Sequence, residues 1–123
     1  MKLSVGTDII EIDRIKKLIN TRGSEFLNRV YTEKEIEYCE ARKEQRYQSY
    51  AARFAAKEAI YKALSENINT NYSWKDFEIV NTNNGKPKIY LHLEIKELDS
   101  IEISISHCKE YAVAYVTVIL NNK

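Results

Sequence analysis

A chain of 123 residues has room for one hydrophobic core, and 19 basic against 18 acidic side chains leave a formal net charge of +1, too little for a global field that would draw nucleic acid or an anionic membrane. Residues 1–12 are too short and polar for a secretory apolar region and no apolar run is long enough to cross a bilayer, so the expectation is a single cytoplasmic domain over 1–123. Cys39 and Cys108 form neither a CxxC pair nor a zinc pattern, which predicts two buried thiols rather than a disulfide.

Leu3, Val5, Thr7 and Ile9 alternate with Ser4, Gly6, Asp8 and Ile10, the period of a strand, and this puts Asp8 near the strand end on the face opposite Leu3 and Val5. Ile12, Ile15, Leu18 and Ile19 then recur at helical spacing, with Asp13 in the first turn and a stop near Gly23. Thr32 followed by Glu35 reads as a capping box opening one long helix, or two in sequence, from about Glu33 to Leu64. Within it Ala52, Ala55, Ala56, Ala59 and Ala63 fall inside an arc of roughly 100°. Such a stripe of small side chains lets the helix backbone approach a sheet closely. The other half of the wheel carries Tyr50, Arg53, Phe54, Lys57, Glu58, Tyr61 and Lys62. Past residue 65 the pattern turns to strands: Phe77 to Val80 and Lys88 to Leu93 around the turn Thr82-Asn83-Asn84-Gly85-Lys86-Pro87, then Ile101, Ile103 and Ile105, and a last run from Tyr111 to Leu120 before a frayed tail. The order predicts an α+β fold, a mainly antiparallel sheet packed against a long helix.

Two carboxylates carry the most chemical information, Asp8 at a strand end and Glu58 in a helix rich in basic residues. Magnesium takes one or two protein carboxylates and completes its octahedron with water and substrate phosphate. Against this stands a bland alternative, a turn acid and a Glu58–Lys62 surface pair. Arg53, Lys57 and Lys62 suit phosphate recognition, since guanidinium grips oxyanions bidentately and ammonium acts as a mobile point charge; the alternative is a solvated basic face. His107, at the end of a strand, could donate to a phosphate or serve the fold. The absence of GxGxxG, GxxxxGK[ST] and nucleophile-elbow sequences argues against dinucleotide enzymes, P-loop ATPases and common hydrolases.

Taken as an ordered set, Gly6-Thr7-Asp8-Ile9-Ile10-Glu11-Ile12-Asp13-Arg14-Ile15, Phe26 to Thr32 with Arg29, Ala52-Arg53-Phe54-Ala55-Ala56-Lys57-Glu58-Ala59, Lys62-Ala63-Leu64, Gly85-Lys86-Pro87 and Ser104-Ile105-Ser106-His107 closely resemble the holo-[acyl-carrier-protein] synthases, the short 4′-phosphopantetheinyl transferases. The resemblance spans nearly the whole chain. It implies the fold of that family and magnesium-dependent transfer of 4′-phosphopantetheine from coenzyme A to a serine of apo acyl carrier protein, releasing adenosine 3′,5′-bisphosphate, in fatty acid biosynthesis. It further implies a homotrimer with active sites between subunits. Asp8 and Glu58 become magnesium ligands, with Lys62 beside the pyrophosphate as the third catalytic group. Arg53, Lys57, Gly85, Lys86, Pro87 and His107 become coenzyme A contacts, and Arg14 and Arg22 carrier-protein contacts. The basic residues of the first helix, set around its Ile15, Leu18 and Ile19 stripe, would dock the acidic carrier. One departure stands out: the family often continues Lys-Ala-Leu with Gly-Thr-Gly, whereas Ser65-Glu66-Asn67-Ile68-Asn69-Thr70 follows here. A non-catalytic module binding carrier protein or nucleotide is the competing reading, and a nucleic-acid binder is disfavoured by the near-zero charge.

Overall fold

The computed structural model describes residues 1–68 and 72–121; Asn69 and Thr70 of the loop after Leu64, and Asn122 and Lys123 of the expected tail, lie outside the described residues. Strand β1 (Lys2–Glu11) leads into α1 (Ile12–Arg22), α2 (Ser24–Val30), α3 (Glu33–Ala41) and α4 (Arg46–Leu64). The strands β2 (Phe77–Asn81), β3 (Pro87–Leu91), β4 (Leu98–His107) and β5 (Tyr111–Leu120) follow. An antiparallel sheet of order β1-β5-β4 is accompanied by the β2-β3 hairpin, also antiparallel. This is the expected α+β arrangement. Among the described residues no helix is long and apolar enough to cross a membrane.

Each boundary has a local cause. Helix α1 stops at Gly23, whose φ of 57° is a left-handed conformation that a side chain would oppose, and whose N–H donates to the Ile19 carbonyl at 2.8 Å. Helix α2 is short and carries no strong periodic signal, so the sequence alone does not announce it. The capping box forms as expected: the Glu35 N–H donates to Thr32 Oγ1 at 3.2 Å and the Thr32 N–H to Glu35 Oε1 at 2.9 Å. The long helical run divides in two, α3 and α4, across a 3-10 turn at Lys43–Gln45.

Helix α4 is the central element, and its alanine stripe does what its geometry allows. Ala52, Ala55, Ala56, Ala59 and Ala63 are all buried. Against them lies the Ser4, Gly6, Asp8 and Ile10 face of β1, continued on β5 by Ala112, Ala114, Val116 and Val118. The approach is so close that a Cβ on Gly6 would come within 2.0 Å of the Ala59 carbonyl oxygen. Ser4 Oγ ties the same surfaces together by donating to the Ala63 carbonyl at 2.7 Å.

The sheet's other face is unusual. Leu3, Val5 and Ile9 alternate outward and remain exposed, Leu3 by 61% and Ile9 by 64%, and the β5 residues on that face include the exposed Tyr111 and Tyr115. The apolar row of β1 thus points away from the chain's own core. The thiol expectation is half corrected: Cys39 is buried, its pKa pushed up to about 12 chiefly by that burial, but Cys108, in the β4–β5 turn, is exposed.

Candidate active site

The close packing of β1 on α4 decides what meets at the strand's end. Asp8 shares the inward face of β1 with Gly6, and Phe54, Glu58 and Lys62 recur every fourth residue along α4, so all four open into one cleft of about 390 Å³. Ile9, Ile10, Glu11, Arg14 and Tyr111 complete its lining. Lys62 does not pair with Glu58 as its helical spacing would favour. Its ammonium reaches across to β1 instead, donating to Asp8 Oδ1 at 3.1 Å and to the Thr7 carbonyl at 2.9 Å. Burial, followed by the facing charge of Asp8, holds the Glu58 carboxyl above its usual range, with Lys62 acting in the opposite sense. Two acids facing one another beside one lysine form a site short of positive charge. Asp8 and Glu58 therefore suit a hard divalent cation that keeps open positions for water and a phosphate oxygen. Among the described residues no group of three or more His, Cys, Asp or Glu side chains gathers elsewhere as a fuller metal cage.

Lys57 must be corrected. One residue from Glu58 but 100° around the helix, its side chain is 0% exposed and points into the protein. The ammonium pairs with Glu35 Oε1 at 2.8 Å and donates to the carbonyls of Trp74 at 3.0 Å and Phe77 at 2.6 Å, using its three protons. Glu35 spends its other oxygen on the Ile79 N–H at 2.9 Å. Lys57 thus holds α4 to α3 and β2 and has nothing left to offer coenzyme A. Burial lowers its pKa, opposed by the Glu35 charge. The sequence showed Glu35 only as half of a capping box.

Arg53, Pro87 and His107 meet in a second cleft, of about 180 Å³, with Tyr38, Arg42 and Asn81. Arg53 is only 4% exposed; its guanidinium stacks 4.3 Å from the Tyr38 ring centroid and donates from Nη2 to Asn81 Oδ1 at 2.7 Å. Its Nε is buried and has no hydrogen-bond partner among the described residues, and Arg53 shares the lining of this cleft with His107. The Asn81 amide also donates to the Gly85 carbonyl at 3.0 Å, which ties the hairpin turn to this cleft. Lys86 opens beside Pro87 into a neighbouring cleft between β3 and β4. Within one chain, the Arg53–His107 group and the Asp8–Glu58 group line different clefts.

On α1 the basic side chains are exposed, but the apolar stripe expected among them faces the core. Ile15 is fully buried, and Leu18 and Ile19 pack half-buried against the core. Arg14, Lys16 and Lys17 face outward. Lys17 pairs with Asp13 at 3.0 Å and Arg22 with Glu25 at 3.6 Å, while Arg14 has no ion-pair partner among the described residues. Arg22 borders a groove with Phe26, Arg29, Phe54 and Trp74, in which Phe54 and Trp74 stack at 5.0 Å. Phe54 is common to this groove and the acidic cleft. The sequence had marked it only by its place between Arg53 and Glu58.

A family model of the 4′-phosphopantetheinyl transferase superfamily matches residues 4–116. The holo-[acyl-carrier-protein] synthase of Ruminiclostridium cellulolyticum is 48% identical, over 99% of this chain and 96% of its own. Among solved structures, the Bacillus anthracis holo-(acyl-carrier-protein) synthase in complex with CoA (3′,5′-ADP) is similar at a TM-score of 0.79 and 37% identity, covering 94% of each chain. The Helicobacter pylori synthase in complex with coenzyme A is similar at a TM-score of 0.82 and 34% identity, covering 94% of this chain and 99% of that one.

Proposed function

Because the chain belongs to the holo-[acyl-carrier-protein] synthases of the 4′-phosphopantetheinyl transferase superfamily, and so transfers 4′-phosphopantetheine from coenzyme A to acyl carrier protein in fatty acid biosynthesis, we propose that Asp8 and Glu58 hold the magnesium ion of this reaction with Lys62 beside the diphosphate. The observation that carries this reading is the single cleft into which all three side chains open, with Lys62 already bonded to Asp8 and the Glu58 carboxyl raised by burial and by the Asp8 charge. When bound, the dication supplies charge neutralisation at the diphosphate. The protein's own groups do the rest.

The carrier serine hydroxyl forms a new O–P bond at the phosphorus bearing pantetheine, and the bond from that phosphorus to the departing adenosine 3′,5′-bisphosphate breaks in line. Lys62, half-exposed and long-stemmed, neutralises the leaving oxygen. Glu58, the cleft carboxylate that Lys62 leaves unpaired, is the group assigned here to take the serine proton, directly or through a water held at Asp8.

The acceptor approaches over α1, where Arg14 lines the cleft and carries an uncommitted positive charge; Arg22 extends the basic surface. Coenzyme A carries a second anionic group, the ribose phosphate, and the Arg53–His107 cleft, with its guanidinium not fully paired, suits it, with Gly85, Lys86 and Pro87 at the border. One chain offers the two halves in separate clefts, and the sheet's outer face leaves Leu3, Val5, Ile9, Tyr111 and Tyr115 exposed. Both observations support a homotrimer whose subunits pair one chain's acidic cleft with another's Arg53 cleft.

The test is mass spectrometry of apo carrier protein incubated with coenzyme A and magnesium. The parent protein adds a phosphopantetheine mass that chelator abolishes. Glu58→Gln keeps the melting temperature, because the side chain is only half-buried, and loses at least about a hundredfold in turnover. Full turnover in that variant, or transfer that persists in chelator, refutes the assignment.

A further inference from the structure

The Arg53 cleft concentrates positive charge with no acid in its lining. Arg42 stands there beside Arg53, and no aspartate or glutamate borders the cleft. Neither arginine forms an ion pair among the described residues. Both guanidiniums meet one aromatic ring instead. Tyr38, on α3, has Arg53 at 4.3 Å and Arg42 at 5.8 Å from its ring centroid, and its hydroxyl accepts a long bond from Arg42 Nη1 at 3.4 Å. The two cations differ in burial: Arg53 is 4% exposed, whereas Arg42, just past the end of α3, is exposed and steadied by a bond from Nη2 to Gln45 Oε1 at 3.1 Å. Around the buried guanidinium, Asn81 Oδ1 holds a single nitrogen, Nη2, at 2.7 Å. A planar group tied at one corner can still pivot, and the face of the Tyr38 ring takes that freedom away.

We propose that Tyr38 is a positioning residue for donor binding: its ring fixes the plane of the Arg53 guanidinium and draws Arg42 alongside it, so that a pair of like charges faces one phosphate monoester. The inference rests on the reading that the Arg53–His107 cleft takes the ribose phosphate of coenzyme A. Two guanidiniums at one ring repel each other, and attraction to the ring, strongest for the cation shielded from water, offsets that repulsion while the cleft is empty. A phosphate monoester carries about −1.5 to −2 charges at neutral pH and relieves the repulsion when it enters. Ordering the guanidiniums beforehand also lowers the entropic cost of capture. Tyr38 touches no reacting atom, so its effect falls on how tightly a donor is held and which donor is preferred.

The transfer assay, run with coenzyme A and with dephospho-coenzyme A, which lacks the ribose phosphate, tests this role. Tyr38→Leu is expected to raise the KM for coenzyme A about five- to thirtyfold, with kcat at saturating donor within about twofold of the parent. The KM for dephospho-coenzyme A should stay unaltered, so the preference for coenzyme A shrinks by the same factor. Tyr38→Phe, which keeps the ring, should hold that preference within about threefold of the parent. General loosening of α3 against α4 would weaken both donors together, so a parental ratio of the two KM values in Tyr38→Leu overturns the proposal whatever the variant's melting temperature. A loss in Tyr38→Phe as large as in Tyr38→Leu overturns it too, since the ring would then not be the agent. Arg53→Gln separates the two levels of the argument. Preference abolished by Arg53→Gln but kept by Tyr38→Leu overturns the positioning role alone, whereas preference kept by both variants also removes the ribose phosphate from this cleft.

Discussion

Gly6→Ala is the most demanding perturbation of this site because it touches no chemical group. A Cβ at Gly6 would lie 2.0 Å from the Ala59 carbonyl oxygen, 2.9 Å from the Ala63 nitrogen and 3.0 Å from the Ala59 carbonyl carbon, all backbone atoms of α4 that no rotamer change can move. Taking the worst contact from 2.0 Å to the 3.4 Å of ordinary van der Waals distance requires β1 and α4 to separate by about 1.4 Å. Overpacking of this kind costs roughly 1–3 kcal/mol, which for a chain of this size lowers the melting temperature by about 4–15 °C. The same separation takes Asp8 on β1 away from Glu58 and Lys62 on α4 and stretches the 3.1 Å bond between Asp8 and Lys62 beyond hydrogen-bonding range. A misplacement of about 1 Å in a catalytic constellation costs on the order of a hundredfold in rate. Transfer to apo carrier protein followed by mass spectrometry, at a temperature where circular dichroism shows the variant folded, should fall by that factor or more. If Gly6→Ala melts with the parent and transfers at the parental rate, then the contact does not set the geometry of the cleft.

Replacing Lys57 with Met should destabilise by about 3–5 kcal/mol in urea titration, because Glu35 is left buried without its counter-charge; adding Glu35→Gln should recover part of the loss, and a single variant as stable as the parent would deny Lys57 its structural role. The Glu78 carboxyl is pulled upward by burial but is held lower overall by hydrogen bonds from Thr32 at 2.6 Å and His92 at 2.9 Å. Its folded form therefore binds protons less readily than the unfolded chain, so its contribution to stability is present at neutral pH and is lost as pH falls through the carboxylate range. Thr32→Val should accordingly flatten the acid limb of a stability profile measured between about pH 7 and about pH 3, and an unchanged acid limb would refute this linkage. Arg14→Glu should raise the KM for carrier protein by about tenfold at low salt, with KM for coenzyme A unchanged and the difference shrinking as salt is added; an unaltered carrier KM at low salt would remove α1 from the docking surface.

The elements that the sequence revealed are those whose signals are local. The alternation of Leu3 to Ile10, the capping box at Thr32 and the Asn-Asn-Gly-Lys-Pro turn each follow from residues a few positions apart, and each stands where expected. The pairing of Asp8 with Glu58 is legible as residue types in a family-like order, but their meeting depends on Gly6 lying against Ala59, a contact between segments that no periodicity connects. The direction of the β1 face was hidden for a related reason. An apolar row on a strand normally turns inward, yet Leu3, Val5 and Ile9 turn out because α4 can approach only the small-residue face.

Helix α4 shows why charge type alone could not sort the site. Arg53, Lys57, Glu58 and Lys62 look like one polar cluster in the sequence, yet each step along the helix turns the side chain by 100°. The stripe Phe54, Glu58, Lys62 therefore faces the cleft, while Arg53 and Lys57, offset by one residue, face α3 and β2. The fate of the offset pair is decided by the partners supplied there. Lys57 finds a carboxylate and two carbonyls, which consume its three protons, and becomes part of the scaffold. Arg53 finds one amide oxygen and one aromatic face, which leave Nε without a partner among the described residues, so of the two it is the one to which the proposed anion contact can be assigned. Counting the donors left after the fold has taken its share separates the two, and that count needs the positions of Glu35, Tyr38 and Asn81 in space.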